Sequence, residues 1–265
     1  MHLIFVTIPK GFTMIYDIQR ASMWKRISAF LFDGILLGIA AVLFAWALSG
    51  VLGYDRQSAA LYNAYARIGE AYGVDFNVSL SAYDAMTAEQ QQTLSSAYAA
   101  LSADTQAVDA YNAVVSLTLL ITSLGILFAH AALEYAVPLW LGNGQTLGKK
   151  IFGLGVMRQD GVMIDGRILF IRTFLGKYTF ETMIPVLILM MIWFGILGLT
   201  GTLVLLGIVF LQGILLIRHD HLTIHDALAA TIAVDIGSQM IFPDRASMIA
   251  YKEKIHAQNA AKQAY

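Results

Sequence analysis

The chain has 265 residues, 58% of them hydrophobic and only 13% charged, with a formal net charge of −1. Soluble globular domains carry about 25% charged residues, so this composition excludes a soluble domain, and four prolines beside 22 glycines give no signature of disorder. Cysteine is absent, which removes disulfide frameworks, thiolate metal sites and cysteine nucleophiles.

Residues 1–26 form an N-terminal arm carrying Lys10, Arg20, Lys25 and Arg26. Its short apolar patch has no basic region before it and no small-residue cleavage site after it, so it does not read as a signal peptide. A first span is expected over residues 27–52, enough to cross a hydrocarbon core of about 30 Å. Its only charged residue is Asp33, two helical turns inside. An acid at that depth costs about 2.5–3.5 kcal/mol on insertion scales, so it needs a partner or a function. Gly34 and Gly38 form a small-xxx-small pair, which predicts close approach of another helix.

Residues 53–112 differ in kind. They hold Asp55, Glu70, Asp75, Asp84, Glu89, Asp104 and Asp109 against two bases, Arg56 and Arg67. Thr87 and Gln90 have capping-box spacing, Asp104 is placed to cap the helix that follows, and Leu61, Tyr65, Ile68 and Tyr72 share a helical face. These signals predict a helical insertion outside the bilayer. Asp75–Ser79 begins like a calcium loop, but Leu80 stands where the loop needs glycine and Met86 where it needs an acid.

A second span is expected over 114–141, with His130 and Glu134 on one face and Pro138 near its exit. Residues 142–177 are basic. Gln159-Asp160-Gly161 between apolar stretches predicts a β-hairpin, and Ile168–Phe174 an interfacial helix anchored by Arg167 and Arg172. The apolar run 178–217 would be about 60 Å long as one helix. It is therefore divided at Gly198–Thr202 into spans 178–197 and 202–217, with Glu181 placed to pair with Lys177 and Gln212 in the last span. Beyond it, His221 and His225 have helical ligand spacing, Thr223 can cap the turn, and Asp226 is placed to bond backbone amides or Arg172. Residues 230–236 read as a strand pairing with the hairpin, and 237–265 as a tail with a helix from about Arg245.

The fold expected is an all-α membrane protein: a four-helix transmembrane bundle over 27–236 with the external insertion and a small cytoplasmic β-hairpin. Bases concentrate in the arm, the 142–177 loop and the tail, so the positive-inside rule places both termini in the cytoplasm.

Arg26 followed by Asp33 resembles the RDD family, which is named for an arginine and two aspartates. Gly144–Leu154 is similar to that family's loop after the second span, and Leu222–Thr231 to its closing His-Asp motif, with Asp226 as the second aspartate. Segment 53–112 matches none of its motifs. Ala230 stands where many members carry glycine, and Gly155 where they often carry arginine. The resemblance implies a bacterial integral membrane protein. Transport, including cation/proton exchange, is proposed for some members.

The leading functional expectation is a small transporter or ion/proton-exchange protein of the cell membrane. Asp33, His130 and Glu134 form its ion-binding centre, with Arg26 and Asp226 as accompanying site residues. The structural alternative makes Asp33 an anchor bonded to donors between helices. No nucleophile–base pair, phosphate loop or His-Glu-x-x-His pattern occurs, so an enzyme, a cofactor and a metal are not expected. Partners expected are membrane lipids, a small cation or proton, and a homo-oligomer or membrane-protein partner. The basic loop reads as membrane-facing rather than as a nucleic-acid surface. The competing function is a non-catalytic scaffold, assembly factor or subunit of a larger membrane complex.

Overall fold

The structure is a computed structural model that describes residues 21–193, 195, 198–217 and 223–263. The N-terminal arm before residue 21 and His221 lie outside the described residues, as does the side chain of Gln212. The chain is mostly helical. In order, its first elements are α1 (Met23–Leu52), α2 (Tyr54–Tyr72), α3 (Leu80–Asp84), α4 (Ala88–Ala103) and α5 (Thr105–Ala129). A π-helix, His130–Ala136, joins α5 to α6 (Val137–Leu141), and α7 (Leu147–Ile151) and β1 (Leu154–Arg158) follow. Next, α8 (Gly166–Phe170) runs through a second π-helix, Ile171–Met183, into α9 (Ile184–Trp193). The chain closes with α10 (Leu199–Ile217), α11 (Ile224–Leu228), β2 (Thr231–Asp235) and α12 (Arg245–Gln263).

Three helices are long and apolar enough to cross a membrane: Met23–Leu52, Thr105–Leu141 and Gly166–Trp193. Their large apolar side chains face outward, with Trp46 76% and Trp193 86% exposed. Water would penalise that arrangement; lipid does not. In α10 the stretch Leu199–Leu211 forms a shorter apolar helix. Two expectations change here. The segment 168–174 is not a separate interfacial helix but the start of the continuous Gly166–Trp193 helix. The break in the long apolar run comes earlier than Gly198–Thr202. Gly195 takes φ 71°, a left-handed conformation that ends α9, and α10 begins at Leu199.

The chain forms two compact units. One gathers residues 34–134 and 177–211. In it α2 packs against α5 and α4. Ala64, Ile68, Ala97, Leu101 and Ala107 form its core, with Tyr65 and Phe76 against it. The expected caps are present. Thr87 and Gln90 close a capping box on α4, and the Asp104 carboxylate accepts the N–H groups of Gln106 and Ala107. The expected α2 face holds at Tyr65 and Ile68 but not at Tyr72, which is 41% exposed. Helix approach occurs elsewhere than predicted. A Cβ at Gly34 or Gly38 would meet nothing within 4 Å, whereas one at Gly125 would lie 3.0 Å from the Ala41 carbonyl oxygen. The small residues that matter for packing on α1 are therefore its alanines, Ala41 and Ala45, facing Gly125.

The other unit gathers described residues of 21–33, 135–176 and 212–263. Its centre is a two-stranded antiparallel sheet in which Val156 pairs with Ala233 and Met157 with Ile232. The expected local hairpin is reduced to one isolated bridge, Met157 to Met163, and β1 finds its ladder in β2. Both sheet faces are covered. Met157, Ile232 and Val234 cluster with Ile241, while Val156 meets Ile164 and Leu169. Strands buried on both sides need apolar residues at nearly every position, so β1 shows no alternation of apolar and polar residues. Gly155 lies under Ile236, where a Cβ would come within 3.0 Å of its side chain.

Candidate functional sites

Three polar clusters hold the sequence-predicted residues. The first is centred on Asp226. Thr223 caps α11, accepting the Asp226 N–H, and donates its own hydroxyl to Oδ2 of Asp226 at 2.9 Å. Nε2 of His225 is 2.9 Å from the Thr223 oxygen, so the network closes when the ring donates there. On the other carboxylate oxygen, Oδ1 accepts from Arg172 Nη2 at 2.7 Å and from the Thr231 hydroxyl at 3.0 Å. Arg26, in the first turn of α1, brings its guanidinium to 3.7 Å from Oδ2. Arg172 and Asp226 are 3% and 1% exposed. Burial alone would raise the Asp226 pKa. Arg172, His225 and Arg26 outweigh it, and hold the carboxyl well below the usual carboxylate range. This cluster ties the start of α1, the π-helix after α8 and the α11–β2 turn together. At that turn Ala230 adopts φ 49°.

The second cluster surrounds Asp33, whose side chain is 9% exposed. Its Oδ1 accepts the Gly148 N–H at 2.7 Å, its Oδ2 accepts the Thr146 hydroxyl, and Lys149 Nζ stands 4.0 Å away. Thr146 is also the N-cap of α7, so one hydroxyl links the span to the loop helix. Gly148 permits the contact, since a Cβ there would lie 2.5 Å from the Ala29 carbonyl oxygen. Both carboxylate oxygens are thus engaged by donors from the loop after α6. That is the anchor reading of Asp33.

The third cluster lies within the candidate spans. Glu134 pairs with Lys177 through Oε2. One turn before Glu134, His130 is 1% exposed, and its Nδ1 donates to the Ile126 carbonyl at 2.9 Å. Its Nε2, which is an acceptor in the neutral imidazole, faces the Thr182 hydroxyl at 3.5 Å. The Tyr178 ring stands 5.6 Å from the imidazole, and its hydroxyl donates to the Ser123 carbonyl. Lys177, whose spacing suggests Glu181, here meets Glu134.

Backbone geometry marks the same residues. Glu134 lies in the π-helix His130–Ala136, and Lys177, Tyr178 and Thr182 lie in the π-helix Ile171–Met183. Each stretch ends two residues before a proline, Pro138 or Pro185. A proline cannot donate to the carbonyl four residues earlier and clashes with it. Those carbonyls belong to Glu134 and Glu181. The widened turn relieves the clash, and π-helical stretches recur at functional sites. The signal available in the sequence was the proline inside each apolar run, Pro138 and Pro185.

Of the predicted residues, the structure joins Arg26 to Asp226 and sets His130 beside the Glu134–Lys177 pair. The partners described for Asp33 are Thr146, Gly148 and Lys149. Lys177, Arg172, Thr146 and Tyr178 complete these clusters. Among the described residues, no group of three or more His, Cys, Asp or Glu side chains is placed to hold a metal ion.

The RDD family model matches residues 20–230, and the chain belongs to the RDD family. No curated protein and no solved structure matches it.

Proposed function

We propose that this RDD family membrane protein is a multi-pass protein of the cell membrane that moves a proton or small cation at the Glu134–Lys177–His130 centre. α10 is the fourth crossing: its 19 residues span about 28 Å, close to a hydrocarbon core of about 30 Å. With four crossings, the basic arm, loop and tail all lie in the cytoplasm and the acidic segment 53–112 lies outside.

The observation that carries the reading is the Glu134–Lys177 ion pair, placed on two π-helical stretches of apolar helices. Ionisable side chains in a span are costly, and where they persist they mark ion pathways and proton relays. The chemistry is competition. An entering cation displaces the Lys177 ammonium from the Glu134 carboxylate, or a proton on Glu134 releases it. His130 offers a neutral acceptor one turn away. Asp33, Arg26 and Asp226 hold together the unit to which they belong instead of binding the ion.

A second reading, a membrane-protein scaffold, is favoured by the apolar exposure on the acidic segment, where Leu80 is 79% exposed. Ion flux separates the two. Purified protein in liposomes, with an imposed sodium or potassium gradient and a pH-sensitive dye inside, exchanges protons faster than empty liposomes. Glu134→Gln reduces the rate to that of empty liposomes. No flux above that background in the wild type favours the scaffold.

A further inference from the structure

The acidic segment carries a pocket that owes nothing to the intramembrane pair. On α2, Tyr62, Tyr65, Gly69 and Glu70 fall on one strip at helical spacing. The helix stops at Gly73, whose φ of 65° turns the chain back, and the Val74 N–H closes on the Gly69 carbonyl at 2.9 Å. The chain then lies against the helix it has just left. Gly69 makes this possible, since a Cβ there would sit 2.8 Å from the Val74 carbonyl oxygen. Asp75 fixes the turn by accepting the Asn77 N–H at 2.8 Å.

Phe76 is clamped in this turn. Its ring stands 5.1 Å from Tyr65 at 85° and 5.0 Å from Tyr98 at 71°. Burial raises the pKa of the Tyr65 phenol, with help from Tyr98 and Tyr111, so it stays neutral at physiological pH. Between the helix strip and the turn lies a cavity of about 490 Å³ lined by Tyr62, Tyr65, Phe76, Glu70 and Asp75, with no basic side chain in its wall. Three aromatic rings and two carboxylates form the environment that alkylammonium groups prefer: π-faces for the desolvated head and anions for its charge. The surrounding segment adds a long-range field, with seven acids against two bases over 53–112.

We infer that this pocket binds a small organic ammonium ion, held by the rings of Tyr62, Tyr65 and Phe76 and by the carboxylates of Glu70 and Asp75.

The test is titration calorimetry on the full-length protein in detergent with tetramethylammonium and with choline, at ionic strength held constant with sodium chloride. Saturable binding is expected for both. Tyr62 is 73% exposed, so its replacement leaves the fold intact. Tyr62→Ala weakens binding about threefold to fivefold, the worth of one exposed cation–π contact. Tyr62→Phe, which keeps the ring, binds like the wild type, and Glu70→Gln weakens binding. The inference is overturned if the wild type shows no saturable binding at millimolar ligand, or if Tyr62→Ala and Glu70→Gln both bind as well as the wild type.

Discussion

Arg172 and Asp226, 54 positions apart, meet at 2.7 Å with almost no solvent access to either. One carboxylate there serves two guanidiniums, because Arg26 approaches its other oxygen. Removing one partner of a buried pair leaves an uncompensated charge, at a cost of about 3–5 kcal/mol. Arg172→Leu is therefore expected to lower the thermal unfolding midpoint in detergent far more than Arg26→Leu, whose guanidinium is more exposed and more distant.

The same carboxyl sets an acid limit on stability. Its native pKa is depressed below the unfolded value of about 3.9. Its contribution is thus fully present above that unfolded value and is lost as pH falls through the native one. The unfolding midpoint is expected to be insensitive to this group between pH 7 and about pH 5 and to decline below about pH 4. Asp226→Asn is less stable at neutral pH and shows a shallower acid decline. An acid limb unchanged by Asp226→Asn would show that other carboxylates set it.

Ala230 supplies a test in the stabilising direction. Its φ of 49° lies where an L side chain crowds the following carbonyl, a penalty of about 1–2 kcal/mol that glycine avoids. Part of the gain is offset by the greater freedom of an unfolded glycine, about 0.4–1 kcal/mol. Ala230→Gly is expected to raise the unfolding midpoint slightly. A lowered midpoint would mean that the Ala230 methyl is needed for packing.

Two glycine substitutions on opposite sides of the packing argument should differ in sign. Gly148→Ala forces a methyl to within 2.5 Å of the Ala29 carbonyl oxygen and 2.9 Å of the Asp33 carboxylate. Overpacking of this kind costs about 1–3 kcal/mol. Gly34→Ala, in the middle of α1 with open space around its Cβ, is expected to gain about 0.5–1 kcal/mol in helix stability. Unfolding midpoints of the two variants, measured in one detergent, check both.

What could be read in advance follows from how local each interaction is. The caps at Thr87 and Asp104 lie within a few residues of the N–H groups they satisfy, so spacing alone revealed them. The first two apolar spans were equally plain, because lipid demands long uninterrupted runs. Asp226 was left between backbone amides and Arg172, and of the two Arg172 donates to its carboxylate. The partner of Asp33 was harder. It is partly a backbone N–H, made available by a glycine with no side chain of its own to signal it. The hairpin expectation held in part. Asp160-Gly161 turns the chain and leaves one bridge, Met157 to Met163, while the full ladder of β1 is made with β2, within the stretch 230–236 expected to pair there. The π-helical stretches were missed because they depend on the carbonyl four residues before each proline, a backbone group the residue pattern records only indirectly.

The most direct test of the ion-pair centre removes both charges at once. Glu134→Gln with Lys177→Met leaves no uncompensated ion, so the fold is expected to survive with nearly the wild-type unfolding midpoint. If the pair handles the transported ion, proton exchange by this double variant in liposomes falls to the level of empty liposomes. Exchange at the wild-type rate in a stably folded double variant would contradict that account and leave Glu134 and Lys177 as a packing device.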